Sequence, residues 1–238
     1  MPRRTLDQPI DLKPDTQPPW GLIYPLSQKQ LEALRKYLDD MLKQGTISPG
    51  KSPAGAAILF VPQPDGHLLL VVDYGGLNNV IVHNKYSIPL MTELRDQVRS
   101  AQTFSALDLK DGFHLIRRRK GDDRKPVFQT RYGHYEYRVM PVGSVNAPAT
   151  FQTMMNEILR EFLDQRVVVY IDDILIYSQT LEEHVILVHK VLQRLREYRM
   201  AISLEKRVFH VKKVDFLGYG VATDGVTMNE KKVKSIKS

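Results

Sequence analysis

Apolar positions change their period several times along the chain, and each change marks an element. Residues 1–26 show no period: Pro2, Pro9, Pro14, Pro18, Pro19 and Pro25 each fix their own φ and restrict the residue before, which predicts an extended arm. A helical stripe follows at Leu31, Leu34, Leu38, Met41 and Leu42. It is opened by the capping pair Ser27 and Gln30, with Leu26 and Leu31 placed as a hydrophobic staple, and closed by Gly45. The apolar runs Ala56–Val61 and Leu68–Val72 are separated by PQPDGH, whose Pro, Asp and Gly predict a β-hairpin, a small sheet standing away from the main body. From Phe104 the pattern is that of strands: FSALDL, a basic turn, PVFQT, a tight turn at Arg131–Gly133, and HYEYRV. A helix after Pro148 gathers Phe151, Met154, Met155, Ile158, Leu159 and Phe162 on one side. VVVYI and ILIY then flank Asp172 and Asp173. Thr180 and Glu183 form a second capping box for a helix reaching about Tyr198, and VDFLGYGV reads as one late strand. This order predicts an α+β domain with helices packed on one face of a sheet.

Composition narrows the possible chemistry. With 42% hydrophobic and 26% charged residues, the 238-residue chain has the balance of a globular protein. No cysteine is present, which excludes disulfides and thiolate metal sites, and no apolar run reaches the roughly 18 residues of a membrane span. An intracellular setting fits, whether cytoplasm, virus-like particle or nucleus, with no membrane partner. The net charge is +7, and basic residues bunch at Arg117, Arg118, Arg119 and Lys120, at Arg124 and Lys125, and at Lys212 and Lys213. Such bunching suits a polyanion, and equally a solvated face. The histidines hold no i, i+4 metal pair, and phosphate loops, dinucleotide fingerprints and serine-hydrolase elbows are absent.

Three Asp-Asp pairs differ in their surroundings. Asp39 and Asp40 fall on the polar side of the first helix, and Asp122 and Asp123 in the turn KGDDRK; both pairs read as solvated charge. Asp172 and Asp173 sit between two apolar strands, which places adjacent anions at a hairpin tip. They either make the turn or hold a cation. Turns ordinarily recruit Gly or Asn beside Asp, and bare neighbouring carboxylates repel. Magnesium, a hard ion that takes carboxylate oxygens and substrate phosphates, suits such a pair, and Asp108 at the end of FSALDL is the candidate third carboxylate.

YIDD, residues 170–173, resembles the catalytic hairpin of reverse transcriptases, and the resemblance extends in both directions. FSALDLKDGFHLI resembles the strand with the first metal-binding aspartate, RYGHYEYRVMPVGSVNAPATFQ the template and nucleotide motif, VDYGGLN a fingers motif, and FLGYGV the primer grip. SPAGAAILFVPQPDG and PPWGLIYPLS are similar to LTR retrotransposons of the gypsy class. The resemblance implies a right-hand polymerase fold, with an antiparallel palm sheet and a fingers β-hairpin subdomain. The arm would occupy 1–26, the fingers 27–103, the palm 104–228 with a second fingers portion around 117–147, and the start of a thumb 229–238. It implies RNA-directed DNA polymerisation on an RNA or DNA template with a primer, using deoxynucleoside triphosphates and magnesium, with manganese as a substitute. Asp108, Asp172 and Asp173 would be catalytic and, with the backbone of Leu109, would hold metal. Phe113 resembles a steric gate against ribonucleotides, its alternative being a core aromatic. Val142 and Gly143 would line the nucleotide site, with Pro148 in the same motif; Tyr170 would touch nucleic acid; Phe216, Leu217, Gly218 and Tyr219 would grip the primer.

Departures from the family pattern lie in the fingers. Pro62, Gln63 and Pro64 stand where relatives carry a basic run, Leu69 and Gly75 where they carry arginines, and Leu115 where glutamine is common; Val142 replaces an aromatic residue or glutamine. The metal centre reads as intact and the triphosphate clamp as stripped. A decayed or repurposed copy that binds nucleic acid without efficient polymerisation is therefore the rival reading.

Overall fold

The computed structural model describes residues 7–63, 66–86, 91–110, 112, 116–119, 121–122, 124–163 and 165–229. In chain order the elements are α1 (Gln28–Lys43), β1 (Ile47–Pro49), β2 (Ile58–Pro62), β3 (Leu68–Val72), α2 (Gly75–Val80), α3 (Met91–Gln97), β4 (Thr103–Asp108), β5 (Val127–Thr130) and β6 (Gly133–Tyr137). They continue with α4 (Ala147–Ile158), β7 (Val167–Tyr170), β8 (Asp173–Ser178), α5 (Leu181–Glu197), β9 (Val208–Val211), β10 (Lys213–Phe216), β11 (Tyr219–Ala222) and β12 (Gly225–Met228). The chain forms two compact units, residues 1–84 with 113–147 and residues 85–112 with 148–238. Residues 85–103, expected with the fingers, therefore belong to the second unit. The reason is apolar: Leu94 and Val98 are buried against Phe104 and Leu175 of the second unit's own core.

In the first unit, α1 begins where the sequence places it. Ser27 accepts from the backbone of Gln30 and the Gln30 side chain accepts from Ser27 N–H at 2.9 Å, while Gly45 turns the chain at φ +67°. Its buried face is Leu34, Leu38 and Met41, with Tyr37 packed beside them; Leu42 instead stands exposed at the edge of the stripe. The β2–β3 hairpin pairs Ile58 with Val72 through Pro62 with Leu68. It does not stand away from the body. Ile58, Phe60 and Val72 are buried in the same core as α1, because one face of so short a hairpin must be covered. β1, β6 and β5 form a second antiparallel sheet, bridged to Ala56 at Phe128.

From Asp7 onward the arm is stitched down by isolated bridges, Gln8 to Arg118, Leu12 to Ile81 and Trp20 to Gly55. Asp122, expected in solvent, is buried and anchors it: its carboxylate accepts from Ile10 N–H at 2.9 Å, Arg119 Nε at 2.9 Å and Lys125 Nζ at 2.6 Å. Burial pushes this acid up, but the Lys125, Ile10 and Arg119 hydrogen bonds outweigh it and hold Asp122 below its ordinary value. Part of the basic run is thus spent inside the protein: Arg118 is buried, and Arg119 also binds Asp11 at 2.6 Å. Asp123 and Lys120 lie outside the described residues; Asp39 and Asp40 are exposed, as expected.

In the second unit an antiparallel sheet runs in the order β7-β8-β4-β9. One face, with Phe104, Leu175 and Tyr177, is covered by α3 and by the small sheet β10-β11-β12 through Val214, Phe216 and Val221. Helix α5 takes the other face, where His184 meets Ser105 and Ser178. The single late strand expected at VDFLGYGV is a hairpin. Leu217 and Gly218 both have positive φ, 53° and 79°, which folds β10 back on β11 in a two-residue turn. The apolar side of α4 is as predicted, with Phe151, Met154, Met155 and Ile158 buried. Thr180 caps α5, accepting from Glu183 N–H at 3.3 Å, but the reciprocal half of that box is not made; the Glu183 carboxylate pairs with Arg166.

His184 of α5 joins that helix to the sheet. Ser178 Oγ donates to Thr180 O at 2.9 Å, so it accepts from His184 Nδ1 at 2.9 Å, and Nε2 then accepts from Ser105 Oγ at 2.7 Å, which itself accepts from His210 N–H. The ring is buried and neutral. Burial, then the neighbouring His210, lowers its pKa to about 4. Between the ordinary value of 6.5 and about 4 the unfolded chain binds a proton that the folded one does not, so this group's contribution is complete above 6.5 and is lost as pH falls toward 4. The stability advantage of the parent over His184→Asn should therefore narrow across that window. Urea unfolding of both proteins at stepped pH checks it; a constant gap would mean that the ring is not held neutral.

Candidate active site

Strands β4 and β8 run antiparallel with Thr103 opposite Ser178 and, at the other end, Asp108 opposite Asp173. Directly opposed residues of an antiparallel pair project to the same face, so two carboxylates stand side by side where like charges ordinarily destabilise a sheet. β7 and β8 close through Tyr170 opposite Asp173, leaving Ile171 and Asp172 as the two residues of the turn. Asp172 is tied to the first strand as well: its carbonyl accepts from Leu109 N–H at 2.9 Å. The three aspartates are partly buried at one end of one sheet.

The crowding is visible in the acidities of Asp172 and Asp173. Burial, and after it Asp172 and Asp108, raise Asp173 to about 6, partly offset by Lys206. Burial and Asp108 also raise Asp172. Lys206 answers this excess charge, with Nζ 3.2 Å from Asp108 Oδ2, and its pKa is raised chiefly by that hydrogen bond. The segment leading to it is laid along β4 by Ser203 N–H to Asp108 O and Lys110 N–H to Ala201 O, both 2.8 Å. Nothing in LEKR singles out this lysine before the chain is folded.

A divalent ion fits the donor set in kind and charge. The acids are hard oxygen ligands, Asp172 and Asp173 are both raised by burial and by neighbouring carboxylates, and an ammonium is already drawn to Asp108. Among the described residues no three His, Asp or Glu side chains gather into a ready metal cage. Magnesium does not require one, since it commonly takes one or two carboxylates and completes its shell with water and substrate phosphate.

The remaining sequence candidates fall in two places. Tyr170 and Leu217 pack against one core in the second unit, where Phe216 is buried, so the side chain of Phe216 is structural, while Leu217, Gly218 and Tyr219 are only half-buried. Val142 and Gly143 belong to the first unit. Val142 is 63% exposed, and Gly143 holds φ +93°, a conformation that L side chains rarely adopt. Asn78 fixes this loop, its Nδ2 donating to Gly143 O and its Oδ1 accepting from Val145 N–H, both at 2.9 Å. Phe113 and Leu115 lie outside the described residues. Sequence reasoning missed Lys206, Asn78 and Gln152, the last of which binds the backbone around Ile171.

The fold has known counterparts. The foamy viral protease-reverse transcriptase in complex with ds DNA superposes with a TM-score of 0.88 at 24% identity, over 99% of this chain and 41% of that one. The native Prototype Foamy Virus Protease-Reverse Transcriptase gives 0.78 at 28% identity, over 89% of this chain and 28% of that one. The fold is the right hand. Residues 64–221 match the profile of reverse transcriptase (RNA-dependent DNA polymerase), so the sheet that sets Asp108 beside Asp172 and Asp173 is that of a reverse transcriptase, and the chain belongs to that family. Among curated proteins, the Transposon Tf2-3 polyprotein of Schizosaccharomyces pombe is 39% identical over 213 residues and the Tf2-7 polyprotein 38%, each across 90% of this chain. The chain spans 16% of the length of those polyproteins.

Neutralising a site acid should stabilise the metal-free protein. Asp173→Asn in chelator is expected to raise stability by up to about 1 kcal/mol, the scale of a cross-strand pair, and to abolish the further rise that manganese gives the parent. Thermal unfolding with and without manganese reads both effects; a drop in the midpoint in chelator would show that the acids are not in conflict.

Proposed function

We propose that this chain carries the polymerase site of a retrotransposon reverse transcriptase and extends a primer on an RNA or DNA template with deoxynucleoside triphosphates. The observation that carries the reading is the register of β4 on β8, which sets Asp108 against Asp173 beside the Asp172 turn. The family uses divalent metal, and magnesium, with manganese as substitute, suits these oxygen donors. Asp108, Asp172 and the Leu109 carbonyl would hold it, with Asp173 as the supporting acid. When bound, magnesium supplies positive charge for the attacking and leaving oxygens of an in-line displacement.

The bond made is between the primer 3′ oxygen and the α-phosphorus; the bond broken releases pyrophosphate. Catalysis of this kind is mainly positioning and electrostatics. The chain's own part is to hold three acids together where β4 meets β8 and its turn, and to present the Leu217–Gly218 turn and Tyr219 to the primer end. Phe113 is proposed as the gate against a 2′-hydroxyl. No helix among the described residues is long and apolar enough to cross a membrane, and we place the reaction inside the cell, where a transposon polyprotein is made.

Asp172→Asn should abolish extension and leave the fold intact, since shape is kept and a ligand's charge is lost. Primer extension on an RNA template with magnesium decides it, and equal rates for both proteins would sink the assignment.

The fingers hairpin makes nucleotide handling the weak step. Leu69 is 52% exposed opposite the exposed Val61, so it fills no packing need. Leu69→Arg should lower the apparent KM for deoxynucleotides about 10- to 100-fold, as one charge-assisted hydrogen bond of roughly 1.5–3 kcal/mol would. Gly75 opens α2 without a positive φ, and a side chain added there would meet only the tip of Asp73, so Gly75→Arg is accommodated and the double variant can be read beside it. Steady-state extension at varied nucleotide measures all three; an unchanged KM throughout would mean that other cations hold the triphosphate.

A further inference from the structure

The turn that carries Asp172 is held in a conformation its own sequence resists. Tyr170 and Asp173 are partners, so Ile171 and Asp172 are the whole of the hairpin loop. Ile171 has φ +55°, and Asp172 is not among the residues with positive φ. Positive φ at the first central residue alone is the type II′ pattern, which ordinarily places glycine there. A β-branched isoleucine is among the residues least suited to it. Something outside the hairpin must hold the turn.

Gln152 of α4 is fully buried. Its Nε2 donates to Val169 O at 3.0 Å and its Oε1 accepts from Ile171 N–H at 2.7 Å. One carboxamide thus engages a carbonyl and an amide two residues apart, as a neighbouring strand would, on both sides of Tyr170. The second Nε2 hydrogen goes to Asn156 Oδ1 at 2.8 Å, and Asn156 Nδ2 donates to Tyr86 OH at 2.9 Å. This fixes which way round the amide stands, since a flipped Gln152 would set oxygen against two acceptors and lose the Ile171 bond. On its far side the same turn is tied to the first catalytic strand, where Asp172 O accepts from Leu109 N–H.

From this we infer that Gln152 is a positioning residue for catalysis: its buried amide holds the Ile171–Asp172 turn in its strained form and thereby sets the Asp172 carboxylate relative to Asp108 and Asp173. The catalytic consequence rests on the proposed polymerase function; the mechanical one does not.

The test compares the parent, Gln152→Ala, and Gln152→Ala combined with Ile171→Gly, which adopts positive φ without resistance. Three readouts are taken: magnesium-dependent primer extension, manganese binding followed by the electron paramagnetic signal of free ion, and amide hydrogen exchange at Ile171. Gln152→Ala should lower kcat roughly 10- to 100-fold, the scale of a small misplacement of a reacting group, with KM for primer–template unchanged. It should weaken manganese binding and speed exchange at Ile171 at least tenfold. The double variant should regain most of the kcat and of the manganese affinity. Parental kcat and parental exchange in Gln152→Ala would overturn the inference. So would a loss in which kcat, KM and thermal midpoint fall together and Ile171→Gly restores nothing, which marks general packing damage. Should Gln152→Ala not fold, Gln152→Met, which keeps the volume without the amide, is read in the same way. A parent that makes no product refutes the polymerase reading, and the exchange and manganese curves still decide the role of Gln152.

Discussion

Everything at the candidate site depends on the hydrogen-bonded register of β4 on β8. Because side chains alternate along a strand, a slip of one residue would turn Asp108 to the opposite face and set the apolar Ile174 or the turn itself against it. The register is held from both ends and from above. Ser105 of β4 and Ser178 of β8 both bind His184 of α5, and the Asp172 carbonyl closes on Leu109 N–H at the far end. Phe104, Leu175 and Tyr177 fix the same alignment through their apolar face. The repulsion between Asp108 and Asp173 is tolerated because so many separate contacts would have to break to relieve it.

Much of this was legible in the sequence, wherever a local pattern and its outcome involve the same few residues. The Ser27–Gln30 box, the apolar side of α4 and the placement of acids between two apolar strands all depend on neighbours along the chain. What was hidden depends on distant partners. Asp122 looks like any charged turn residue until Ile10, 112 positions away, offers its N–H. Its burial also explains why the basic run around it is a poor guide to nucleic-acid contacts. Leu42 completes a helical stripe on paper, yet the core boundary runs through Tyr37 instead.

One misreading has its cause in backbone geometry. VDFLGYGV has the composition of one strand, and only the paired positive φ values of Leu217 and Gly218 make it a hairpin. Leucine gives no warning of this, and at the aspartates, where the hairpin itself was expected, Ile171 gives none of its positive φ. In both places a residue unsuited to its conformation is kept there by surroundings that the sequence does not place beside it, and in both the turn lies in the part of the fold assigned to chemistry. Such strain is concentrated at sites where a fixed geometry matters more than stability. The fingers changes are of another kind. Leu69 lies on the exposed side of its hairpin, so that change leaves the packing untouched.

The order of strands, β7-β8-β4-β9, has a consequence for how the protein is made. β4 is interior to its sheet, yet both of its neighbours come later in the chain, β8 ending at Ser178 and β9 at Val211. A ribosome adding about 5–20 residues per second needs roughly 5–20 s to pass from the end of β4 to the end of β9. Until β8 has emerged the nascent chain carries an apolar strand with nothing of its own in this sheet to pair with, and one edge of β4 stays open until β9 follows. Synthesis of this fold therefore passes through a stage that favours chaperone capture, and crowded translation on a shared message would invite nascent copies to pair β4 with one another.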